Sequence, residues 1–259
     1  MSEHAPHSGR MEGHGYYTAH SQPQQAYGAL GLEWLEQAAA EAAPPPAGLP
    51  FVIADLGAAG GGSSVEPMRR ALAARRGGGE AVVVHTDIPS NDFSALFELV
   101  EESPQSYLAG QEGVFALAAG RSFYEPLLPA AMLSLGWSSI AVHWLSGVPA
   151  PVEGQIFSTF AQGEAREALQ ERAARDWRDF LRHRARELRP SGRLVVVGGA
   201  AREDGSRGAE GLMELANEAL VHLVEAGRLG ADEHERMTIP TWNRTEAEFT
   251  APFEQEEIA

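Results

Sequence analysis

The sequence predicts an α/β fold, a doubly wound and mostly parallel sheet covered by helices. Two observations support this prediction. Short apolar runs rich in β-branched residues alternate along the chain with longer stretches of helical composition, which is the pattern of repeated β-α units. The runs are apolar almost throughout, as strands buried on both faces must be, so a parallel sheet is favoured over an antiparallel sheet with one wet face.

Five runs bounded by Gly, Pro or Ser are candidate strands, at residues 51–57, 81–87, 114–120, 138–144 and 193–199. Helices are predicted over residues 26–43, 63–76, 92–102, 124–134, 160–188 and 209–227. Pro44, Pro45 and Pro46 end the first helix, because proline lacks the N–H donor and clashes with the preceding turn. The arginine-rich stretch at 166–193 is amphipathic, and its charged side chains are expected to be solvated.

The composition excludes several classes of function. The chain has 259 residues and a formal charge of -16, so it would repel a phosphate backbone, and nucleic acid is not expected as a partner. It has no cysteine, which excludes disulfides and thiolate chemistry, and no lysine, which excludes a Walker A loop. No apolar run is long enough to span a bilayer and residues 1–10 lack an apolar signal region, so a cytoplasmic protein without a membrane partner is expected.

A glycine-rich turn after the first candidate strand is the strongest local signal of function. The strand ends in Asp55 and runs into DLGAAGGGSS, residues 55–64. Glycine lets a backbone approach a ligand closely, although this turn alone fits a flexible connection equally well. Asp87 ends the second strand, where a carboxylate can accept hydrogen bonds from both hydroxyls of a ribose. Together they indicate a nucleoside-type cofactor other than NAD, because the loop has no clean G-x-G-x-x-G.

Five motifs follow one another along the chain: Y-x-A-x-S-x-x-Q at 17–24, DLG at 55–57, HTDIPSNDFSALF at 85–97, GRSFYEPLLP at 120–129 and SSIAVHWLSGVP at 138–149. In this order and approximate spacing they resemble the SABATH family of plant-type small-molecule carboxyl methyltransferases, over residues 11 to about 250. The resemblance implies the class I methyltransferase fold, which is Rossmann-like with helical cap elements. It also implies S-adenosyl-L-methionine as the cofactor and a homodimer.

The resemblance further implies an organisation and a set of site residues. Residues 1–10 would be a disordered lead, 11–50 a segment that closes over the cofactor, 51–200 the Rossmann-like core and 201–259 a partial helical lid over the acceptor. The implied cofactor-binding residues are Tyr17, Ser21, Asp55, Gly57, Ser63, Asp87, Ile88, Ser122 and Phe123. The implied substrate-binding residues are Gln24, His143 and Trp144. Without the resemblance, His143 and Trp144 would be interpreted as core residues.

The implied reaction is methylation of the carboxylate of a small aromatic or apolar acid, giving a methyl ester. A carboxylate is already an anion at neutral pH, so alignment and desolvation can supply the acceleration, and neither a catalytic acid–base pair nor a metal is expected. Donors such as the Gln24 amide and the Trp144 indole suit carboxylate oxygens. Two alternatives stay open. One is a hydroxyl or ring-nitrogen acceptor with His143 as base, and the other is a truncated relative that binds the cofactor without catalysis.

Three departures from the family pattern bear on these expectations. Ile140 stands where the family usually has an aromatic residue, which removes a hydroxyl donor expected near the acceptor. Ser63 stands near a position that is asparagine in many relatives, so one cofactor contact is expected to differ. Relatives also continue well beyond the segment that matches 237–249, so an exposed sheet edge after the fifth strand is expected, with dimerisation or instability as its consequence.

Overall fold

The structure, a computed structural model, describes residues 20–254. Its central feature is a five-stranded sheet with the order β3-β2-β1-β4-β5, in which neighbouring strands are parallel. The strands are β1 (Phe51–Leu56), β2 (Ala81–Asp87), β3 (Val114–Gly120), β4 (Leu133–Ser139) and β5 (Leu188–Val197). The predicted α/β class with a parallel sheet is therefore confirmed. Within the described residues β5 ends the sheet on one side, as expected.

The helices lie between and after the strands. In the described part of the chain they are α1 (Gln22–Ala29), α2 (Leu32–Glu41), α3 (Val65–Ala74), α4 (Phe93–Glu102), α5 (Gly163–Glu187), α6 (Glu210–Glu225), α7 (Ala231–Arg236) and α8 (Glu246–Glu254), with a short 3₁₀ turn at Ser158–Phe160. The elements α3 to α6 fall inside predicted ranges, whereas α7 and α8 were not predicted.

The described chain forms two compact units. Residues 20–142 and 179–198 form the sheet unit, and residues 143–178 and 199–254 form the second unit. The core of the sheet unit joins α2, α3 and α4 to the sheet and includes Leu35, Ile53, Met68, Leu96 and Trp137. The core of the second unit includes Leu145, Val152, Leu169, Ala173 and Trp242. The segment boundaries predicted at residues 50 and 200 stay predictions.

The predicted strand over residues 138–144 is wrong, because β4 ends at Ser139. Ile140 has a φ of 50°, a left-handed conformation that a β-branched residue rarely adopts. Its N–H donates to the carbonyl of Val197 at 2.7 Å. The backbone therefore turns away from the strand direction one residue after β4, although the apolar run in the sequence continues.

The true β4 was missed because its sequence, LSLGWSS, does not look like a buried strand. Ser134 and Ser138 are both fully buried. The Ser134 hydroxyl accepts the N–H of Val52 at 3.2 Å, and the Ser138 hydroxyl donates to the carbonyl of Leu56 at 2.9 Å. A serine whose hydroxyl has a backbone partner can be buried at little cost, and no sequence pattern announces such a partner.

The predicted helix over residues 124–134 is also wrong, since β3 and β4 are joined without a helix. Pro126 and Pro129 both fall inside the predicted range, and a proline in a helix interior removes a hydrogen bond and clashes with the preceding turn. The N–H of Leu127, between the two prolines, instead donates to Glu187 Oε1 at 2.7 Å.

The single helix predicted over residues 26–43 is two helices, α1 and α2. Glycines allow this pair to approach the sheet closely. A Cβ on Gly31 would lie 2.2 Å from Cγ2 of Val197, and a Cβ on Gly28 would lie 2.4 Å from Oγ of Ser139. A larger side chain at Gly31 would also contact the buried Trp137 ring, so Val197 or the two helices would have to shift to accommodate it.

Candidate functional site

The glycine-rich loop after β1 is tied to the end of β2. The N–H groups of Gly57 and Ala58 donate to the carbonyl of Thr86 at 2.9 and 3.0 Å. Gly57 has a φ of 92°, a conformation that favours glycine. A Cβ at this position would lie 2.5 Å from Cβ of Ala141 and 3.5 Å from the ring of Phe123. The loop and Phe123, two predicted parts of the cofactor site, therefore lie together.

Two residues of the D-x-P-x-N motif hold the loop at Ala59. This alanine has a φ of 46°, an uncommon conformation for a residue with a Cβ. Its N–H donates to Asp87 Oδ2 at 2.8 Å, and its carbonyl accepts from Asn91 Nδ2 at 2.9 Å. Because both backbone polar groups of Ala59 are bonded, the protein itself fixes the loop conformation. Asn91 was not among the predicted site residues, and its place in the motif is the signal that could have identified it.

Asp87 uses one hydrogen-bonding position on each carboxylate oxygen. Oδ2 accepts the N–H of Ala59 and Oδ1 accepts the N–H of Ile88, both at 2.8 Å. Each oxygen of an ionised carboxylate can accept a second bond, so the side chain keeps capacity for two ligand hydroxyls. Burial raises the pKa of Asp87, the two N–H donors oppose this shift, and the nearby Asp55 adds to it.

The loop after β3 carries Ser122 and Phe123, which were both predicted to bind the cofactor. Ser122 Oγ accepts the N–H of Tyr124 at 3.3 Å. The Phe123 ring packs edge-to-face against the rings of Tyr124 and Phe180, with centroid distances of 4.7 and 5.8 Å. The Tyr124 hydroxyl donates to the carbonyl of Val142 at 3.1 Å. These contacts fix the orientation of the Phe123 ring.

A buried ion pair on α5 supports the same loop. Arg184 and Glu187 have side chains that are 0% and 2% exposed, and Arg184 Nη2 lies 2.8 Å from Glu187 Oε1. Arg184 also donates to the carbonyls of Phe123 and Glu125, both at 2.9 Å. Burial lowers the pKa of Arg184, and Glu187 opposes the shift. The expectation that the arginines within 166–193 are solvated is therefore wrong for Arg184, and also for Arg189, which is buried as well.

Two of the predicted site residues in the sheet unit have buried polar atoms. Gln24 Oε1 and Ser63 Oγ have no hydrogen-bond partner among residues 20–254. Buried polar atoms are normally bonded, so these two fit a site that receives a polar ligand. Ser21 is fully buried, and its Oγ accepts from Gln25 Nε2 at 3.1 Å. Tyr17 lies outside the described residues. The side chains of the sheet unit therefore fit a nucleoside-type cofactor.

His143 and Trp144, the predicted acceptor residues, lie in the second unit. Trp144 forms an antiparallel bridge with Thr241, and the carbonyl of His143 accepts the N–H of Trp242 at 2.8 Å. Thr241 and Trp242 belong to the segment 237–249 that resembles the acceptor lid of the family. The structure thus brings together two separate stretches of sequence that were both assigned to acceptor binding.

The His143 side chain is largely buried beside Trp144, with a ring-centroid distance of 5.7 Å. Its Nδ1 has no hydrogen-bond partner among residues 20–254. Burial, with a smaller contribution from Arg244, lowers the pKa of His143 from 6.5 to about 4. The imidazole is therefore neutral at physiological pH, and Nδ1 can bond to a ligand.

The serine of the H-W-L-S motif fixes the chain after Trp144. The N–H and the hydroxyl of Ser146 donate to the two carboxylate oxygens of Asp176, both at 2.7 Å. Burial raises the pKa of Asp176, while the two bonds from Ser146 oppose the shift. Asp176 was not predicted as a functional residue, because nothing in a helix sequence shows which carboxylate faces a loop.

Within 20–254, no three His, Asp or Glu side chains are grouped so that they could hold a metal ion. None of the helices in this part of the chain combines the length and the apolar character that crossing a bilayer requires.

The sheet order, the glycine-rich loop after β1 and the acidic end of β2 define a Rossmann-like domain of the class that binds nucleoside cofactors. Within that class, the chain belongs to the SAM-dependent carboxyl methyltransferase family, whose model matches residues 5–258. The predicted family is confirmed.

Two plant relatives illustrate the extent of the match. Gibberellic acid methyltransferase 2 of Arabidopsis thaliana is 32% identical over 188 residues, which are 64% of this chain and 46% of the relative. Indole-3-acetate O-methyltransferase 1 of the same plant is 29% identical over 183 residues, which are 63% of this chain and 47% of the relative. The chain thus spans about half the length of the curated relatives it matches.

A solved structure agrees with the fold. The structure of loganic acid methyltransferase with SAH matches with a TM-score of 0.79 at 22% identity, over 96% of this chain and 75% of that one. At this identity the likeness bears on the fold alone, and it confirms the class I methyltransferase architecture.

Proposed function

We propose that this chain is an S-adenosyl-L-methionine-dependent O-methyltransferase that converts the carboxylate of a small aromatic or apolar acid to a methyl ester. The observation that supports this best is the loop at Ala59, which Asp87 and Asn91 hold next to Phe123 in a member of the carboxyl methyltransferase family. The names of the plant relatives, gibberellic acid and indole-3-acetate methyltransferases, point to the same chemical class of acceptor.

The cofactor would be held by residues of the sheet unit. The second hydrogen-bonding positions on the Asp87 carboxylate would accept the ribose hydroxyls, and the fixed Phe123 ring would pack on the adenine. Ser63 Oγ and Gln24 Oε1 are buried polar atoms that a bound ligand would satisfy. When bound, the cofactor supplies a methyl group on a sulfonium. We propose cofactor roles for the predicted Tyr17, Ser21, Ile88 and Ser122 as well.

The residues of this chain would orient an acceptor and exclude water from it. The oxygen of an ionised carboxylate already has the electron pair that an O–C bond needs, so no proton would have to be removed from this acceptor. A hydroxyl acceptor would need a base with a pKa near the operating pH, and a histidine with a pKa of about 4, as at His143, is a weak base for that purpose. This comparison favours a carboxylate acceptor, with Gln24, His143 and Trp144 as the proposed binding residues.

The first experiment is calorimetric titration of the purified chain with S-adenosylhomocysteine, followed by a methyl-transfer screen over small aromatic carboxylic acids. Binding with turnover supports the proposed enzyme. Binding without turnover favours the alternative of a relative that kept cofactor binding and lost catalysis. No binding contradicts the cofactor assignment. The predicted homodimer and the cytoplasmic location stay predictions, and sedimentation of the same sample tests the former.

Two substitutions separate the proposed sites. Asp87→Ala removes the ribose acceptor and frees the N–H of Ala59, so we expect it to abolish binding of S-adenosylhomocysteine. Trp144→Ala should leave that affinity unchanged and weaken acceptor use. Trp34→Ala is the matched control, because Trp34 is 68% exposed on α2, and it should change neither quantity. Equal cofactor affinity in Asp87→Ala and wild type would refute the ribose assignment.

A further inference from the structure

Three buried polar side chains form a continuous hydrogen-bonded triad inside the sheet unit. Asp55, His85 and Tyr107 are 4%, 0% and 2% exposed. Asp55 Oδ2 lies 2.8 Å from His85 Nδ1, and the Tyr107 hydroxyl lies 2.8 Å from His85 Nε2. Both ring nitrogens of His85 are therefore used. Of the three residues only Asp55 was singled out from the sequence, and neither His85 nor Tyr107 has a part in the proposed function described above.

The sheet places the triad directly behind the glycine-rich loop. Asp55 on β1 and His85 on β2 are direct partners across the parallel pair, two residues before Gly57 and two before Asp87 respectively. Tyr107 follows α4 and belongs to the hydrophobic core of the sheet unit. Because each ring nitrogen of His85 has a polar partner, the ring cannot rotate without losing a hydrogen bond. The fixed ring in turn holds the Asp55 carboxylate in one orientation.

The hydrogen-bond partners determine which ring nitrogen carries the proton. An ionised carboxylate only accepts hydrogen bonds, so Nδ1 of His85 is the protonated nitrogen facing Asp55. The Tyr107 hydroxyl has no other acceptor among residues 20–254, so it donates to Nε2, which is the unprotonated nitrogen of a neutral ring. Burial, together with the charges of Asp55 and Glu101, raises the pKa of Tyr107 above its ordinary value, so the hydroxyl keeps its proton.

We propose that His85 and Tyr107 are positioning residues that hold the Asp55 carboxylate in one orientation for the cofactor. This inference rests on the cofactor role proposed for Asp55. One oxygen of Asp55 is committed to His85, and that bond sets the direction of the other oxygen. Without it, the carboxylate would be buried with neither a donor to stabilise its charge nor a fixed rotamer.

Three variants test the proposal by their affinity for S-adenosylhomocysteine, measured by calorimetry well below each melting temperature. His85→Leu removes both bonds and should weaken the affinity roughly tenfold, the contribution of one hydrogen bond to a charged group. His85→Asn keeps a donor at the position of Nδ1 and should recover the affinity to within about threefold of wild type. Tyr107→Phe loses only the bond to Nε2 and should fall between the two.

A matched control separates positioning from stability. Ser134→Ala also removes a buried hydrogen bond from the sheet, the one that the Ser134 hydroxyl accepts from Val52. It should lower the melting temperature and leave the affinity for S-adenosylhomocysteine at the wild-type value. If folded His85→Leu binds within about twofold of wild type, or if His85→Asn binds no better than His85→Leu, the positioning role is refuted and the triad serves stability alone.

The protonation pattern is tested independently of the cofactor. Nitrogen-15 NMR of the histidine side chains should show His85 as a neutral ring with a protonated Nδ1 and a bare Nε2, and Tyr107→Phe should shift the Nε2 resonance. The opposite tautomer would overturn the proposal. A wild-type chain that does not bind S-adenosylhomocysteine contradicts the proposed function and the cofactor role of the triad together, whereas the nitrogen spectrum still decides whether Nδ1 of His85 donates to Asp55.

Discussion

At the residue scale, the protonation of His143 differs between the folded and the unfolded chain in the pH range below 6.5. Its folded pKa is lowered from 6.5 to about 4, chiefly by burial. As the pH falls below 6.5, the unfolded chain binds a proton that the folded chain does not. The stability contributed by the neutral imidazole is therefore fully present above the unfolded pKa and is lost as the pH falls towards the folded pKa.

We expect the free energy of unfolding to fall between about pH 7 and pH 5, with His143 contributing up to about 1.4 kcal/mol per pH unit. His143→Gln cannot take up the proton, so this part of the fall should disappear in the variant. Urea unfolding of both proteins at the two pH values measures the difference. His222→Gln, on the exposed side of α6, is the control and should keep the wild-type change. Identical pH dependence in wild type and His143→Gln would count against a buried neutral His143.

The sequence predicted a site residue when its side-chain type and its place near a strand end could both be seen in one short segment. Asp55 and Asp87 were identified because each lies at or next to the end of a strand and each can accept hydrogen bonds from a ligand. His85 was missed because it stands inside an apolar strand, and its partner Tyr107 comes from a distant loop. Asn91 lies in a motif that the sequence does show, but its bond to the carbonyl of Ala59 depends on how two loops meet. Such pairings belong to tertiary structure, which local patterns do not contain.

At the scale of elements, α5 contributes both a solvated face and a buried one. Glu187 Oε1 accepts hydrogen bonds from Arg184 Nη2 at 2.8 Å and from the N–H groups of Leu127 and Leu128 at 2.7 and 3.2 Å. The same helix carries Arg175 and Glu171, whose ion pair is exposed at 51% and 72%. The same Glu→Gln substitution can therefore be compared at a buried ion pair and at an exposed ion pair of one helix.

Glu187→Gln should destabilise the protein by about 3 kcal/mol, because it leaves the Arg184 charge buried without an opposite charge. Glu171→Gln, the same change at a solvated pair, should alter stability by less than about 0.5 kcal/mol. Chemical denaturation of the two variants gives both numbers. A loss below about 1 kcal/mol in Glu187→Gln would mean that water reaches the pair and that the ion pair does not hold the loop of Phe123.

The elements themselves were predicted unevenly, for physical reasons. Strands β1, β2 and β3 are apolar or β-branched runs, and the sequence located each of them. Of β5 only the second half, residues 193–197, was predicted, because Arg189, Pro190 and Gly192 in its first half do not look like a strand. Strand β4 was misplaced because buried serines satisfied by backbone partners look polar, and because the apolar run continues past the turn at Ile140. The helix predicted before β4 is absent. Its range contains two prolines, and the rule that proline disfavours a helix interior would have given the correct result.

At the scale of the whole molecule, the chain has a formal charge of -16, from 36 acidic and 20 basic residues. A net charge far from zero opposes the compact state through self-repulsion.

The α/β class and the family were both predicted from the sequence, because the order of motifs extends over most of the chain. The family match to residues 5–258 confirms the predicted family.

We expect the melting temperature to rise when sodium chloride is increased from about 20 mM to about 200 mM, because the Debye length shortens and the repulsion is screened. Differential scanning fluorimetry of the wild-type chain measures the shift. Sodium sulfate at matched ionic strength separates screening from preferential exclusion of the salt. A melting temperature that falls with sodium chloride would show that attractive surface pairs outweigh the net repulsion.

The net negative charge also affects how strand β3 behaves towards other copies of the chain. Its seven residues, VFALAAG, include no charge and no proline. Among residues 20–254 it is the last strand of the sheet beyond β2, and its Phe115 and Leu117 are 49% and 52% exposed. An exposed apolar edge strand is a template for pairing with another chain, and uncharged β-prone segments of this length favour aggregation. Repulsion between two acidic copies opposes that pairing. Salt that stabilises the individual fold therefore also removes the barrier to edge-to-edge association, so solubility and stability respond to ionic strength in opposite directions.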